Sequence, residues 1–381
     1  MPLCSQWVTR WQPFRVAALK PAIVAYSSPM EETLCDISAF HLHRTPPQVL
    51  ALMPTVPAAQ TDKTRSRLKR HPLVQHVVGP TIHLMVTNRR KRSSAKCIQS
   101  HLASTELPFG CVQTTDLGIN VTSPLFTLLQ LAQHLSEEHL AMAMYEFCGT
   151  FSVFKPSTEI EDLLASAQQA GTLPANSWRR VTGQDGKPTS LWQRSPLISL
   201  DELRQFAVAT KGMRGNRRFA KAAKTVTGAT ASPFEAQTSI LLTQSRRKGG
   251  EGFPAFTNNQ RIGLSPAASM LANRSTCYAD LLFDQHKGKK PLIIECQGRI
   301  AHDNTTSAVS DANRTVALQH MGYEVVLLSY EQIALADRFD AVKRLLASHL
   351  GITYRRKTKN LRKREHDLRR NIFINWETLA A

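Results

Sequence analysis

The chain contains no run of about 18 apolar residues, so it carries no ordinary membrane-spanning helix. Its seven cysteines include no CxxC pair, which argues against a zinc knuckle or a disulfide framework and points to reduced thiols in a cytoplasmic protein. Neither GxxxxGK[ST] nor GxGxxG occurs, so nucleotide-driven chemistry lacks its phosphate cradle. The first 30 residues mix Trp7, Arg10, Trp11, Pro13, Arg15 and Lys20 with apolar positions and lack the apolar centre of a signal peptide. Acid is also scarce. Against 48 Lys and Arg stand 29 Asp and Glu, for a formal net charge of +19 over 381 residues and a pI near 10.0. That balance favours a polyanionic partner, and with no membrane span the expected partner is nucleic acid.

The positive charge is clustered. One group is Arg89-Arg90-Lys91-Arg92 with Lys96; a second is Lys211, Arg214, Arg217, Arg218, Lys221 and Lys224; a third is Arg246-Arg247-Lys248. From Arg355 onward nine more Lys and Arg follow, as far as Arg370, with no regular apolar stripe evident among them. This reads as a basic tail that orders on phosphates. Such contacts position a protein on nucleic acid without identifying a sequence, and no base-reading motif accompanies them.

The scarce acids gather in one informative place. Cys277-Tyr278-Ala279-Asp280-Leu281-Leu282-Phe283 is strand-like, the polar stretch 284–290 reads as a turn, and Pro291-Leu292-Ile293-Ile294-Glu295-Cys296-Gln297 is a second strand. A hairpin joining them brings Asp280 and Glu295 to one sheet edge, close enough to share a divalent cation of the Mg²⁺ type, which takes oxygen ligands. Mn²⁺ is the natural substitute. A cation there polarises a phosphodiester and activates water. Each acid also has a bland reading: Asp280 as a turn cap, Glu295 as a buried carboxylate paired with an arginine. A bare charge after Leu292-Ile293-Ile294 is costly without a partner or a metal.

Asp, hairpin, then Glu-x-Gln resembles the PD-(D/E)XK nuclease superfamily. The following Gly298-Arg299-Ile300-Ala301-His302, Asp311-Ala312-Asn313-Arg314 and Gly322-Tyr323-Glu324-Val325-Val326 are similar to the branch containing very-short-patch-repair endonucleases. The resemblance implies an α/β fold, with a mixed sheet flanked by helices, over residues 225–353. It implies Asp280 and Glu295 as metal ligands with the Cys296 carbonyl as a third. It further implies Gln297 orienting water or phosphate where many relatives have lysine, and His302 as an acid or base. Glu235, in Ser232-Pro233-Phe234-Glu235, stands on the helix before the core sheet, where the family commonly places a further acid. A first-turn glutamate is equally favoured by the helix dipole alone. Gln297 has its own alternative, satisfying a buried backbone group, and Asp311 with Arg314 reads by default as an intrahelical pair.

The rest of the chain divides by composition. Residues 1–62 form an N-terminal segment and linker, with a helix ending by Thr45 before Pro46-Pro47. Residues 63–150 read as a small α+β module with strand-like runs at 74–78, 82–86 and 118–121, then two helices, the second between Ser136 and Gly149. This module resembles one preceding nuclease-like domains in uncharacterised actinobacterial proteins, and offers a surface for a protein partner. Glu146 and Cys148 read as structural, and the His41/His43 pair lacks further ligands. Residues 151–224 read as a helical connector and 354–381 as the basic tail. The expectation is a metal-dependent DNA endonuclease or nicking enzyme. The alternative is a DNA-binding regulator, or a toxin or phage-defence component, with a nuclease fold and an altered site.

Overall fold

The computed structural model describes residues 33–54 and 69–380, apart from short stretches at 88, 90–91, 94, 104–106, 109, 116–117, 184, 285–287 and 299–304 and the side chains of 305–308. The expectations for residues 1–32 and for His302 lie outside the described residues. Among the described residues the architecture is mixed α/β, with three sheets flanked by helices. Among the described residues no helix is long and apolar enough to cross a membrane.

The first sheet runs β3-β2-β1-β5-β4, from β1 (Thr33–Leu34), β2 (Ile82–Val86), β3 (Ile98–Leu102), β4 (Val112–Thr114) and β5 (Asn120–Thr122). Helix α1 (Asp36–Arg44) follows β1 directly, and α2 (Pro47–Leu50) begins after the Pro46 break. The run Val74–Val78, expected as a strand, is instead a turn of π-helix closed by Gly79 at φ 92°. Helices α3 (Pro124–Leu131) and α4 (Glu137–Cys148) start at Ser123 and Ser136, whose hydroxyls accept from Phe126 N–H and His139 N–H. From Leu140 to Cys148 every residue of α4 is buried, so it is a core helix rather than an amphipathic one.

The region read as a helical connector contains a second sheet. β6 (Phe151–Val153), β7 (Arg179–Thr182) and β8 (Pro188–Gln193) form an antiparallel sheet ordered β6-β8-β7. Around it stand α5 (Thr158–Gln169), α6 (Leu200–Ala209), which opens on a full capping box at Ser199 and Glu202, and α7 (Asn216–Ala223).

The third sheet carries the candidate site. α8 (Pro233–Thr243) precedes it; β9 (Thr257–Gly263), β10 (Thr276–Phe283) and β11 (Leu292–Gln297) form an antiparallel meander, with α9 (Pro266–Ala272) between β9 and β10. β12 (Glu324–Ser329) then pairs parallel with β11 after the crossover helix α10 (Thr305–His320). Alternation along the strands separates two apolar faces. Leu281, Phe283, Leu292 and Ile294 join the main core with Ile240 and Leu241 of α8, while Ile293 and Leu282 pack with Leu318 of α10. α11 (Tyr330–Ala334) and α12 (Ala336–His349) complete this layer.

The C-terminal segment departs from its reading as a basic tail. α13 (Lys359–Ile372) docks through Glu365, Leu368, Arg369 and Ile372, a spacing of three, one and three that marks one helix face. Two of those four are charged, which hid the stripe in the sequence. Trp376, Leu379 and Ala380 are also buried in the main core. Of the nine tail cations two face inward: Lys357 Nζ meets Glu251 Oε1 at 2.7 Å and Gly249 O at 2.9 Å, and Arg369 donates to Ile333 O. The other seven stay exposed.

Removing residues 355–381 is therefore expected to unfold the chain rather than merely weaken its contact with polyanions. A milder test is Ile372→Ala, which should cost about 2–5 kcal/mol of stability. It would be read as a lower urea midpoint at unchanged m-value. A change within about 0.5 kcal/mol would mean the helix is not part of the core.

Candidate functional site

The hairpin register sets the geometry. Leu281 pairs with Ile294, so Asp280 and Glu295 occupy the next positions on adjacent strands, as the sequence predicts. Cys296 N–H donates to Asp280 Oδ2 at 2.7 Å, which fixes that carboxylate across the strand end. On the other side the ladder between β9 and β10 pairs Ala279 with Gln260 and Leu281 with Asn258, but skips Asp280 and Asn259. Asn259 there has φ 50°, a left-handed conformation that asparagine tolerates better than most residues. The register continues unchanged on either side of this position, which lies opposite the candidate ligand.

Asn258 belongs to the same construction, and sequence reasoning missed it. Its Nδ2 donates to Asp280 O at 3.1 Å and to Ser239 Oγ at 2.8 Å, while its Oδ1 accepts from the Thr227 hydroxyl. The available signal was two consecutive asparagines inside a strand, where that residue is depleted.

Glu235 reaches the site from α8. It also caps that helix: its carboxylate accepts from Ala231 N–H at 2.7 Å and from Ser232 Oγ at 2.8 Å, and Ser232 Oγ accepts from Glu235 N–H at 3.2 Å. Glu295 is 3% exposed, and its Oε2 accepts from Arg314 Nη2 at 2.9 Å. Arg314 also stands 3.7 Å from Asp311, so the intrahelical pair exists and reaches the sheet as well. Glu295 Oε1 is buried with no hydrogen-bond partner among the described residues. Gln297, half-buried at the end of β11 beside Ser329, makes no side-chain hydrogen bond among the described residues.

The electrostatics follow from crowding acids in a dry place. Burial first, and the nearby Asp280 charge second, push Glu295 up to about 8, with the Arg314 guanidinium pulling the other way. Burial and Asp280 push Glu235 up to about 8 as well, against its hydrogen bonds from Ala231 and Ser232. Burial, then Asp280 and Glu235, hold the Cys296 thiol well above its usual range. The three carboxylates do not converge as tightly as the ligands of one ion. Among the described residues, the one group of three or more such side chains within 4.8 Å of one another is Asp36, His83 and His101, in the first sheet.

Comparison of the chain with protein-family models, with curated proteins and with solved structures finds no match.

The raised acids give a pH signature with a definite sign. Folded Glu235 and Glu295 hold protons up to about 8, whereas unfolded carboxylates release theirs near 4.5. Between those values the native chain binds more protons, so metal-free stability falls as pH rises through the window. Glu295→Gln removes one of these titrations and should flatten the fall in chemical-denaturation free energy measured with EDTA present. Parallel wild-type and variant curves across the window would sink this account.

Proposed function

We propose that the chain is a metal-dependent nuclease hydrolysing phosphodiester bonds, with DNA as the expected substrate, on a restriction-endonuclease-like sheet. The observation that carries this reading is the hairpin itself: Asp280 and Glu295 at neighbouring positions of β10 and β11, with a buried Glu295 oxygen that has no partner among the described residues. An antiparallel meander joined to a parallel fourth strand through α10 is consistent with the sheet the resemblance implies. The donor set is of the kind a hard cation takes, since Asp280, Glu295 and the Cys296 carbonyl, the third ligand the resemblance implies, all offer oxygen. Mg²⁺, or Mn²⁺ in its place, would supply charge stabilisation at the phosphate and lower the pKa of bound water.

The chain's own residues have separate tasks in this reading. Asp280 is held in place by Cys296 N–H, and Glu295 is steadied by Arg314. Gln297, with no side-chain hydrogen bond among the described residues, orients a water or a phosphate oxygen. Glu235, pushed toward neutral pH, is suited to accept or hold a proton. His302 is assigned an acid–base role from the sequence alone. Phosphate contact falls to exposed cations: Arg214, Arg217 and Lys221 line one cleft beside Glu137, and Arg247, Lys248 and Arg364 line its neighbour beside Glu138. These bring together basic groups scattered over the sequence, including part of the C-terminal helix.

One observation favours a second reading. The Arg314–Glu295 pair and the spread of the three carboxylates suit a nuclease fold retained as a DNA-binding regulator, or as a toxin or phage-defence component with an altered site.

Supercoiled plasmid incubated with Mg²⁺ separates the readings: nicking or linearisation is expected, and EDTA should stop it. Asp280→Ala should abolish cleavage yet leave metal-free melting unchanged or raised, because it removes the charge that repels both glutamates. Cleavage surviving in both Asp280→Ala and Glu295→Ala would falsify the site. Gln297→Ala should slow turnover by roughly 10²-fold, the lower end of losing one transition-state donor. Gln297→Lys should keep partial activity, and neither change should lower the melting temperature.

Binding supplies a further check at the clefts. Replacing Arg217 or Lys221 by alanine should each reduce the slope of log affinity against log salt by about 0.9, one phosphate contact. An unchanged slope would place the polyanion elsewhere.

A further inference from the structure

We propose that Asp36, His83 and His101 form a binding site for one divalent transition-metal ion of the zinc class, separate from the carboxylate site of the third sheet. The site is assembled where β1 passes into α1. Cys35 N–H donates to His83 O at 3.0 Å, extending the β1–β2 ladder by one residue, and Asp36 follows as the first residue of α1. His83 N–H donates back to Ser38 Oγ at 2.8 Å, tying β2 to that helix. β3 lies parallel beside β2 with Met85 opposite His101, so the two imidazoles meet diagonally across adjacent strands.

The atoms are spaced for coordination. His83 Nδ1 and His101 Nε2 lie 2.9 Å apart, and His101 Nδ1 lies 3.5 Å from Asp36 Oδ2. One ligand atom from each of the three falls within 4.8 Å of the others. His101 can offer an ion only one of those two nitrogens, so it is the three-way grouping rather than either pair distance that would admit metal–ligand bonds of about 2.0–2.1 Å. The support around them is also built. Asp36 N–H donates to Gln130 Oε1 of α3 at 3.0 Å, and His134, just past α3, sets its Nε2 2.6 Å from Asp36 Oδ1. His134 is thus a positioning residue, holding a carboxylate in the way partners of metal ligands commonly do. Backbone cost points the same way: Asp36 sits at φ 51°, outside the usual region for a residue with a side chain.

The donor set points to the kind of ion. The Asp36 side chain is 5% exposed, and the ion-pair contacts it makes among the described residues are to imidazoles. Two imidazoles and one carboxylate select zinc and its neighbours over Mg²⁺ or Ca²⁺. The half-exposed His101 and His134 put the rim at solvent, so the ion has an entry path.

The test is metal content of the full chain, purified without a metal-chelating tag. Zinc close to one per chain is expected, with Co²⁺ substitution giving visible ligand-field absorption. The pair His83→Ala and His101→Ala should lose the ion, whereas Asp280→Ala and Glu295→Ala should keep it, which separates this site from the nuclease reading. Should the double variant fail to fold, His134→Gln at the solvent rim gives the milder case and should weaken zinc affinity by roughly 10- to 100-fold. A metal-free wild-type chain that neither gains melting temperature with Zn²⁺ nor develops cobalt absorption overturns the proposal in favour of a hydrogen-bond chain. Zinc retained at full affinity in the histidine variants overturns it equally.

Discussion

One buried charge organises the molecule. Glu146 lies fully enclosed on the core helix α4, where an ionised carboxylate is tolerated only if its surroundings answer it. Arg44 of α1 supplies Nε at 2.8 Å, Val153 N–H of β6 donates at 2.9 Å, and Ser152 Oγ at 3.1 Å. Arg44 also donates from Nη2 to Trp376 O at 2.8 Å, and Arg194 donates to the backbone carbonyl of Glu146. The first helix, the second sheet and the last residues are thus satisfied only in one relative arrangement. Breaking such a pair by removing one partner costs about 3–5 kcal/mol, since it strands the other charge. That is enough to make the N-terminal and C-terminal parts interdependent, and one apolar core extends from Cys35 to Ala380.

The same helix reaches the candidate site. Tyr145, the residue before Glu146, donates its hydroxyl to Thr225 O at 2.8 Å and accepts from Thr227 N–H at 3.2 Å. Thr227 binds Asn258, and Asn258 holds the Asp280 carbonyl at the gap in the ladder. Each link is a buried or half-buried polar contact, so each is directional where apolar packing is not. The position of Asp280 is therefore set from the N-terminal half of the chain as much as from its own sheet.

What the sequence made legible follows from which signals are local. The strands of the hairpin, the strand beginning at Glu324 and the serine caps at Ser136, Ser199 and Ser232 all announce themselves within a few residues. The second sheet does not, because Arg179–Thr182 and Pro188–Gln193 are polar strands without clear alternation. The C-terminal helix was obscured because Glu365 and Arg369 take core-facing places that apolar residues normally mark. Those charges are matched internally, Glu365 by Lys343 at 2.8 Å and by Lys357 at 3.0 Å. At the candidate site the pairing of Asp280 with Glu295 was legible, whereas Asn258 and the Arg314 contact depend on tertiary placement. The Asp36 cluster was beyond reach for the same reason: its members come from a strand–helix junction, two strands and a helix end, and Asp36 and His134 lie 98 positions apart.

Two groups of acids thus meet the cost of burial by different chemistry. In the third sheet, burial and the nearby Asp280 charge favour protons on Glu235 and Glu295. In the nuclease reading we propose, a hard cation would compete with those protons for the same oxygens, so its binding would strengthen as pH rises. Around Asp36 the partners are imidazoles, whose nitrogens would suit a softer ion at the site we propose. The hydrogen bonds there tie a strand to a helix at the start of the described fold. The core helix α4 is tied by hydrogen bonds both to α1, which opens on Asp36, and, through Thr227 and Asn258, to the inner strand that carries Asp280.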